Sequence, residues 1–234
     1  MQKFKILILS ILFVLPSTMF GIVGFGMNLI QDGTKLGGAV NEEGSGLSMA
    51  TVESFEMEAL PAGIGVYGFI DLAGWAIEYE GNIVGQKYNF SFSNALSTLE
   101  EAPFVWARNS NGVTIKKNIA DFSIPLLAKT ALSVGVGFMS HSTTPRPSVS
   151  MLKDILQADD LTTASFTADG LESQIVSYLE DNLVKSSGTH AQLGLRFKIL
   201  VVDAHLNFRY NIAENVYDGS DGYMETQFKL GMGF

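Results

Sequence analysis

Residues 190–211 read HAQLGLRFKILVVDAHLNFRYN. From Ala191 to Ile199 the odd positions are Ala, Leu, Leu, Phe and Ile, and between them stand Gln192, Gly194, Arg196 and Lys198. After Leu200 and Val201 the phase reverses. Val202, Ala204, Leu206, Phe208 and Tyr210 are apolar, while Asp203, His205, Asn207 and Arg209 are polar. A period of two is the mark of a strand with one apolar face. A two-residue turn at Leu200-Val201 sets Phe197 beside Ala204, Leu195 beside Leu206 and Leu193 beside Phe208. On the other face it sets Lys198 against Asp203, an opposite-charge cross-strand pair. One register satisfies both faces, so the stretch predicts a β-hairpin.

Alternation alone does not say which face is inside. In a soluble barrel the apolar face points inward; in a membrane barrel it meets lipid and the polar residues line the lumen. Three features favour the membrane. The Leu200-Val201 turn is apolar and lacks the Asn-Gly or Asp-Gly chemistry of an isolated soluble hairpin. Glycine recurs on the polar face, at Gly24, Gly26, Gly135, Gly137, Gly194, Gly231 and Gly233. Tyr79, Tyr88, Tyr210 and Tyr223 stand at predicted strand ends, as an interfacial aromatic girdle requires. Leu193, Leu195, Phe197, Leu206, Phe208 and Tyr210 are therefore expected to face lipid. Gln192, Arg196, Lys198, Asp203, His205, Asn207 and Arg209 are expected to face the lumen.

The same alternation recurs in Val23–Leu29, Ala73–Tyr79, Tyr88–Phe92 and Leu132–Phe138. It predicts an all-β, antiparallel up-and-down transmembrane barrel. Ten strands are expected, near 22–30, 54–68, 71–80, 84–93, 103–109, 112–123, 127–141, 189–199, 202–212 and 223–234, with Asn111-Gly112 as a hairpin turn. Eight is the fallback if the 94–118 region pairs differently. An even count puts both termini on one side, with short turns near Ile70-Asp71, Ile124-Pro125 and Leu200-Val201. Long loops fall at 31–53, 142–188 and 213–222. Within 143–187, Met151, Leu152, Ile155 and Leu156, then Leu171, Ile175, Leu179 and Leu183, recur at helical spacing and predict two short amphipathic helices.

The first 21 residues carry Lys3 and Lys5, an apolar run from Ile6 to Leu15, then Pro16 and small residues. That layout predicts a secretory signal peptide cleaved after Gly21, with the barrel domain spanning 22–234. Its removal takes the net charge from −9 to −11 by deleting two lysines. Such acidity argues against nucleic acid as a partner, because phosphates need a basic surface. With no cysteine in the chain, stability comes from packing and from the membrane rather than from disulfides.

At the C-terminus, Phe228, Leu230, Met232 and Phe234 alternate with Gln227, Lys229, Gly231 and Gly233. On these residues the sequence resembles the bacterial outer-membrane β-barrel proteins as a class, whose last strand alternates and ends in an aromatic. The resemblance implies a Gram-negative-type outer membrane, lipid as a partner, and a final strand read by the barrel-assembly machinery. It names a class and no activity.

Few residues suggest chemistry. His141 and His190 end one predicted strand and begin the next, with Ser140 and Ser142 beside the former. A hydrolase or a metal site could use them, but no matching motif or orienting carboxylate accompanies them. Asp32, Glu42, Glu43, Asp159, Asp160, Glu180, Asp181, Asp218 and Asp221 read as solvated loop acids, and YDGSDG at 217–222 lacks the later glutamate of a calcium loop. No cofactor motif is found. The expectation is a non-enzymatic barrel with a structural or surface-interaction role. A narrow channel or a carrier for small apolar molecules is the alternative; a lipid hydrolase or acyltransferase and a soluble secreted barrel rank below.

Overall fold

The computed structural model describes residues 22–46, 48–124, 128–162 and 171–234. The expected signal peptide, its cleavage after Gly21 and the Pro125 turn lie outside the described residues. Ten strands are present: β1 (Val23–Asp32), β2 (Ala39–Ser45), β3 (Ser48–Ser54), β4 (Ala62–Leu72), β5 (Trp75–Ser93), β6 (Thr98–Ile124), β7 (Ala128–Thr143), β8 (Val184–Ile199), β9 (Val202–Tyr217) and β10 (Ser220–Gly233). Two helices, α1 (Val149–Leu156) and α2 (Leu171–Asp181), lie between β7 and β8.

Eight of these strands close on themselves in the order β1-β4-β5-β6-β7-β8-β9-β10, and every neighbouring pair is antiparallel. The seam is made by the first and last strands, where the Val23 amide donates to the Phe234 carbonyl at 3.1 Å and the Phe234 amide to that of Val23 at 2.8 Å. Following register partners round the wall from Val23 leads through Ile70, Ile77, Ile115, Val136, Ala191, Tyr210 and Met224 to Gly33. The path thus returns ten residues further up β1, and a stagger of that size in eight strands tilts them by about 40°.

The β8–β9 hairpin has the register expected from sequence, with Ile199 opposite Val202, Leu195 opposite Leu206 and Lys198 opposite Asp203. Leu200 takes a positive φ of 55°, which lets an apolar residue make the two-residue turn. Elsewhere several expected boundaries move. The strand expected at 71–80 begins only at Trp75 and runs on through 84–93 as one strand, β5, and residues 103–109 and 112–123 belong to another, β6. Asn111-Gly112 is not a turn: the two residues pair with Gly81 and Glu80 in mid-strand. The turn expected at Ile70-Asp71 sits at Ala73-Gly74, with φ of 54° and 78°. The stretch 54–68 divides between β3 and β4, and β3 pairs with the upper part of β5, Thr51–Ser54 against Phe90–Ser93. Residues 213–222 are mostly strand, because β9 and β10 continue to a tight turn at Asp218-Gly219. Ten strands and eight barrel staves therefore both describe the molecule.

β5 shows how the chain crosses the bilayer. Trp75, Ile77, Tyr79 and Ile83 project outward and are exposed. The same outward face continues as Gly85, Lys87, Asn89 and Ser91. The inward face does the reverse: Glu78, Glu80 and Asn82 are buried first, then Val84, Tyr88, Phe90 and Phe92. The outward apolar stretch of nine residues matches one tilted membrane crossing. Comparable exposed stripes run along β1 (Phe25, Met27, Leu29), β8 (Leu193, Phe197, Ile199) and β10 (Phe228, Leu230, Met232). A continuous apolar belt around a closed, even-stranded antiparallel wall is the architecture of an outer-membrane barrel. β1 begins and β10 ends at the end that carries the short turns, and β2, β3 and the helices stand at the opposite end; in outer-membrane barrels the short-turn end is the periplasmic one.

Phe208 projects outward near the middle of the belt. Replacing it with Arg should cost about 2–4 kcal/mol in reversible folding into lipid vesicles. The same change at Ser140, on the outward polar face above the belt, should cost about 0–1 kcal/mol. Equal costs at both sites would displace the belt from this position.

Candidate functional site

Two interiors are stacked along the barrel axis. Within the belt, alternation sends every second side chain inward, and many of these are charged. The buried ions are Asp32, Asp71, Glu78, Glu80, Asp203 and Glu225 with Arg108, Lys116, Arg196, Arg209 and Lys229. They form a ladder. At the periplasmic end Arg196 donates to Asp71 at 2.7 Å and, through Nε, to Asp203 at 2.9 Å. Next, Lys116 and Lys229 both reach Glu78, at 2.6 and 2.7 Å, and Lys229 also reaches Glu80 at 2.6 Å. Arg209 pairs with Glu80 and with Glu225 and donates to Gln192 at 2.8 Å. At the top Arg108 bridges Glu225 and Asp32, each at 2.8 Å, while the Tyr217 hydroxyl donates to Asp32 at 2.6 Å.

The glycines of the inner face do not open a lumen. They make room for neighbours. A Cβ on Gly24 would lie 2.3 Å from the Phe69 ring, and one on Gly137 would lie 2.5 Å from His190. Side chains fill the bore, as eight strands permit.

Of the residues singled out from sequence, Gln192, Arg196, Asp203, His205, Asn207 and Arg209 are buried in this interior, and Lys198 is half-buried at its periplasmic rim. The Asp203 carboxylate is taken by Arg196 rather than by Lys198, its register partner. Leu193, Phe197, Phe208 and Tyr210 are exposed on the outer wall, with Leu195 and Leu206 partly covered between neighbours. Tyr79 is also outward, whereas Tyr88 and Tyr223 point inward and are buried. Those two do not belong to a girdle, because they sit where the inner face has turned apolar. Asp32, expected in a solvated loop, is fully buried in the ladder.

The two histidines do not meet each other. His141 pairs in register with Ser186, and His190 with Gly137, four residues away from mutual contact across the strands. Both imidazoles face inward, and His190 bonds Thr114 at 2.9 Å. Ser140 and Ser142, as the neighbours of an inward residue in a strand, face the other side. Among the described residues no group of three or more His, Asp or Glu could hold a metal ion.

Above the ladder the interior becomes an apolar cap. Trp106 stacks on Tyr217 with ring centroids 4.8 Å apart, and Phe104 meets Tyr88 and Phe90 edge to face. Helix α1 closes it from above. Ser148 caps its first turn by accepting the Met151 amide at 3.2 Å, Gln157 ends it in a left-handed conformation, and Met151 and Leu152 are fully buried. Ile175 of α2 joins the same cluster. Acidic side chains coat the outside. Among them Asp160 accepts the Thr162 amide at 2.8 Å, which holds its carboxyl below the ordinary value. Beside α2 lies a groove of about 520 Å³ lined chiefly by Leu99, Pro103, Val105, Ile175, Val176 and Leu179.

No family model and no curated relative matches the chain. Among solved structures it is similar to Ail, the attachment invasion locus protein of Yersinia pestis in complex with the heparin analogue sucrose octasulfate, at 10% identity over 92% of this chain and 98% of that one, TM-score 0.41. It is also similar to Neisserial surface protein A (12% identity, 92% and 97% covered, TM-score 0.40) and to the outer membrane protein OprG from Pseudomonas aeruginosa (9%, 91% and 94%, TM-score 0.42). With identities and scores this low, the membrane assignment stands on the belt and the closed wall.

Glu80 is the carboxylate on which the middle of the ladder converges. Glu80→Leu leaves Arg209 and Lys229 each short of a buried partner and should destabilise the barrel by about 3–5 kcal/mol. Glu56→Gln, which breaks an exposed pair with Lys35, should cost about 1 kcal/mol or less. Urea unfolding from vesicles reads both, and similar small losses would show that the ladder is solvated.

Proposed function

We propose that this chain is a non-enzymatic, non-conducting outer-membrane barrel whose structural or surface-interaction role is carried by its extracellular cap. The observation behind this reading is the ladder. Five buried cations and six buried carboxylates interlock from Asp71 to Asp32 and occupy the bore along the belt. An ion or solute passing through would have to separate buried pairs, each held by more than one partner. The cap, by contrast, is an ordered extracellular structure with its own apolar core, and long ordered segments of this kind serve binding.

Export fits the same reading: residues 1–21 act as a cleaved signal, and Phe228, Leu230, Met232 and Phe234 present the last strand to the assembly machinery. The groove beside α2 supports a second reading, a carrier for small apolar molecules. The ladder gives such a molecule no apolar route to the periplasmic end, so the first reading is preferred.

Purified protein should migrate on gels with heat-modifiable mobility and should add no steady conductance to planar lipid bilayers. Stable, ion-selective current steps from the unmodified protein would replace this proposal with the channel reading.

A further inference from the structure

The cap sheet has an open edge. β6 is flanked by β5 along Thr98–Lys117, but β7 accompanies it only up to Thr143, opposite Arg108. Beyond that point Thr144 makes the last contacts: its amide donates to the Ala107 carbonyl at 2.9 Å and its hydroxyl to that of Val105 at 3.2 Å. Pro145 and Pro147 follow and turn the chain away from the edge. Among the described residues no strand pairs with β6 on this side above Arg108. Ala107 directs both its backbone groups to that side, so Val105, two residues further along, does the same, and Pro103, four along, directs its carbonyl there.

This edge forms one wall of the 520 Å³ groove, and α2 forms the other. The floor is apolar, and three of its residues remain exposed, Pro103, Val105 at 43% and Val176 at 50%. The rims are acidic. Glu101 lines the groove on the β6 side, and Glu180 stands one turn beyond Val176 on α2; both are exposed. Glu101 accepts from the Asn89 side-chain amide at 3.1 Å, and neither acid is in an ion pair among the described residues, whereas Glu43, Glu56 and Asp218 elsewhere on the cap are each paired with a cation. Among the described residues Lys87 is the one basic residue lining the groove.

An unpaired edge, an apolar trough and unneutralised acid on both sides describe a complementary ligand. We propose that the groove between β6 and α2 docks an extended segment of an external protein that alternates apolar and basic residues. The segment lies along the edge, offering an acceptor to the Val105 amide and a donor to the Pro103 carbonyl. Its apolar side chains fill the trough between Val105 and Val176, and its cations meet Glu101 and Glu180. Pro103 supplies no donor, so the backbone contributes only part of the recognition and side chains the rest. A helix is a poorer occupant, because it cannot use the edge. This inference deepens the surface-interaction reading and rests on it.

The test uses the full-length barrel in zwitterionic nanodiscs and a fluorescent ten-residue peptide alternating Val and Lys, read by anisotropy against empty nanodiscs. The alternating peptide should bind more tightly than a Val-block, Lys-block peptide of the same composition, and a Val–Glu alternating peptide should not bind. Val176→Lys and the double change Glu101→Lys with Glu180→Lys should each weaken binding by about tenfold or more. Glu42→Lys, an exposed acid on β2 away from the groove, should change it by about threefold or less. All substituted positions are exposed, and heat-modifiable migration checks that each variant is folded. Equal binding of the block or acidic peptide, or unchanged affinity in Val176→Lys, would overturn the proposal. So would lauric acid binding sensitive to Val176→Lys in place of the peptide, which identifies a small apolar ligand. Failure of the peptide with conductance still absent removes only the docking site; steady conductance removes the surface-interaction reading itself.

Discussion

Inside a bilayer a backbone amide has no water to turn to, so every strand within the belt must have a neighbour on both sides. That requirement closes the wall at Val23 and Phe234. Closure in turn decides what the side chains face. Once the strands are wrapped, one face of each touches lipid and the other faces the remaining strands across a bore only wide enough for side chains. The pleat then does the sorting, since Ile77 and Tyr79 cannot point outward without Glu78 and Glu80 pointing in. A chain obliged to be apolar outside carries its polar groups into a space where they must satisfy one another.

The ladder is how they do so. A buried carboxylate is tolerable only if cations and donors replace its lost hydration. Glu80 accordingly receives Arg209, Lys229 and Gln227, and Asp32 receives Arg108 and Tyr217. Arginine serves at the branch points because its planar fork spans two acids at once, as Arg108 spans Asp32 and Glu225. Such a network is weak evidence of net stability relative to an apolar core, but it specifies one arrangement: shifting any strand by one residue would bury its lipid face and expose its ions. Glycine on the inner face lets these long side chains pack without opening a passage.

How much of this was legible depended on whether the deciding contacts were local. The β8–β9 hairpin could be read in full, because both faces of two adjacent strands constrain a single register. The expectation for 94–118 failed for the opposite reason. β6 runs 27 residues, and Asn111-Gly112 in its middle carries turn chemistry that pairing with Gly81 and Glu80 overrides. Tyr88 and Tyr223 were misplaced because the inner face changes from charged to apolar where the strands leave the bilayer, so alternation persists while its meaning inverts. The ladder itself was only half visible. Charges at Glu78, Arg196 and Arg209 in otherwise apolar strands signalled an interior, but their partners lie at separations such as 125 residues for Arg196 and Asp71, or 151 for Lys229 and Glu78. No local pattern encodes those pairs.

The inversion along β5 and β6 also explains why the cap is ordered rather than a set of loose loops. Outside the bilayer the outer face of a strand meets water and must be polar, so apolar residues can only be placed inward. Val84, Tyr88, Phe90, Phe104 and Trp106 therefore converge above the ladder. A converging apolar face needs a lid, and β3 and α1 supply one through Val52, Met151 and Leu152, all fully buried. The cap is thus a small hydrophobic core standing on a charged one, and both are anchored to the same continuous strands. Local opening is easiest where a segment buries little and bonds little. With α1 sunk into the core and α2 holding Ile175 against it, the acidic outer surface is presented on a stiff support, which lowers the ordering cost for anything that binds there.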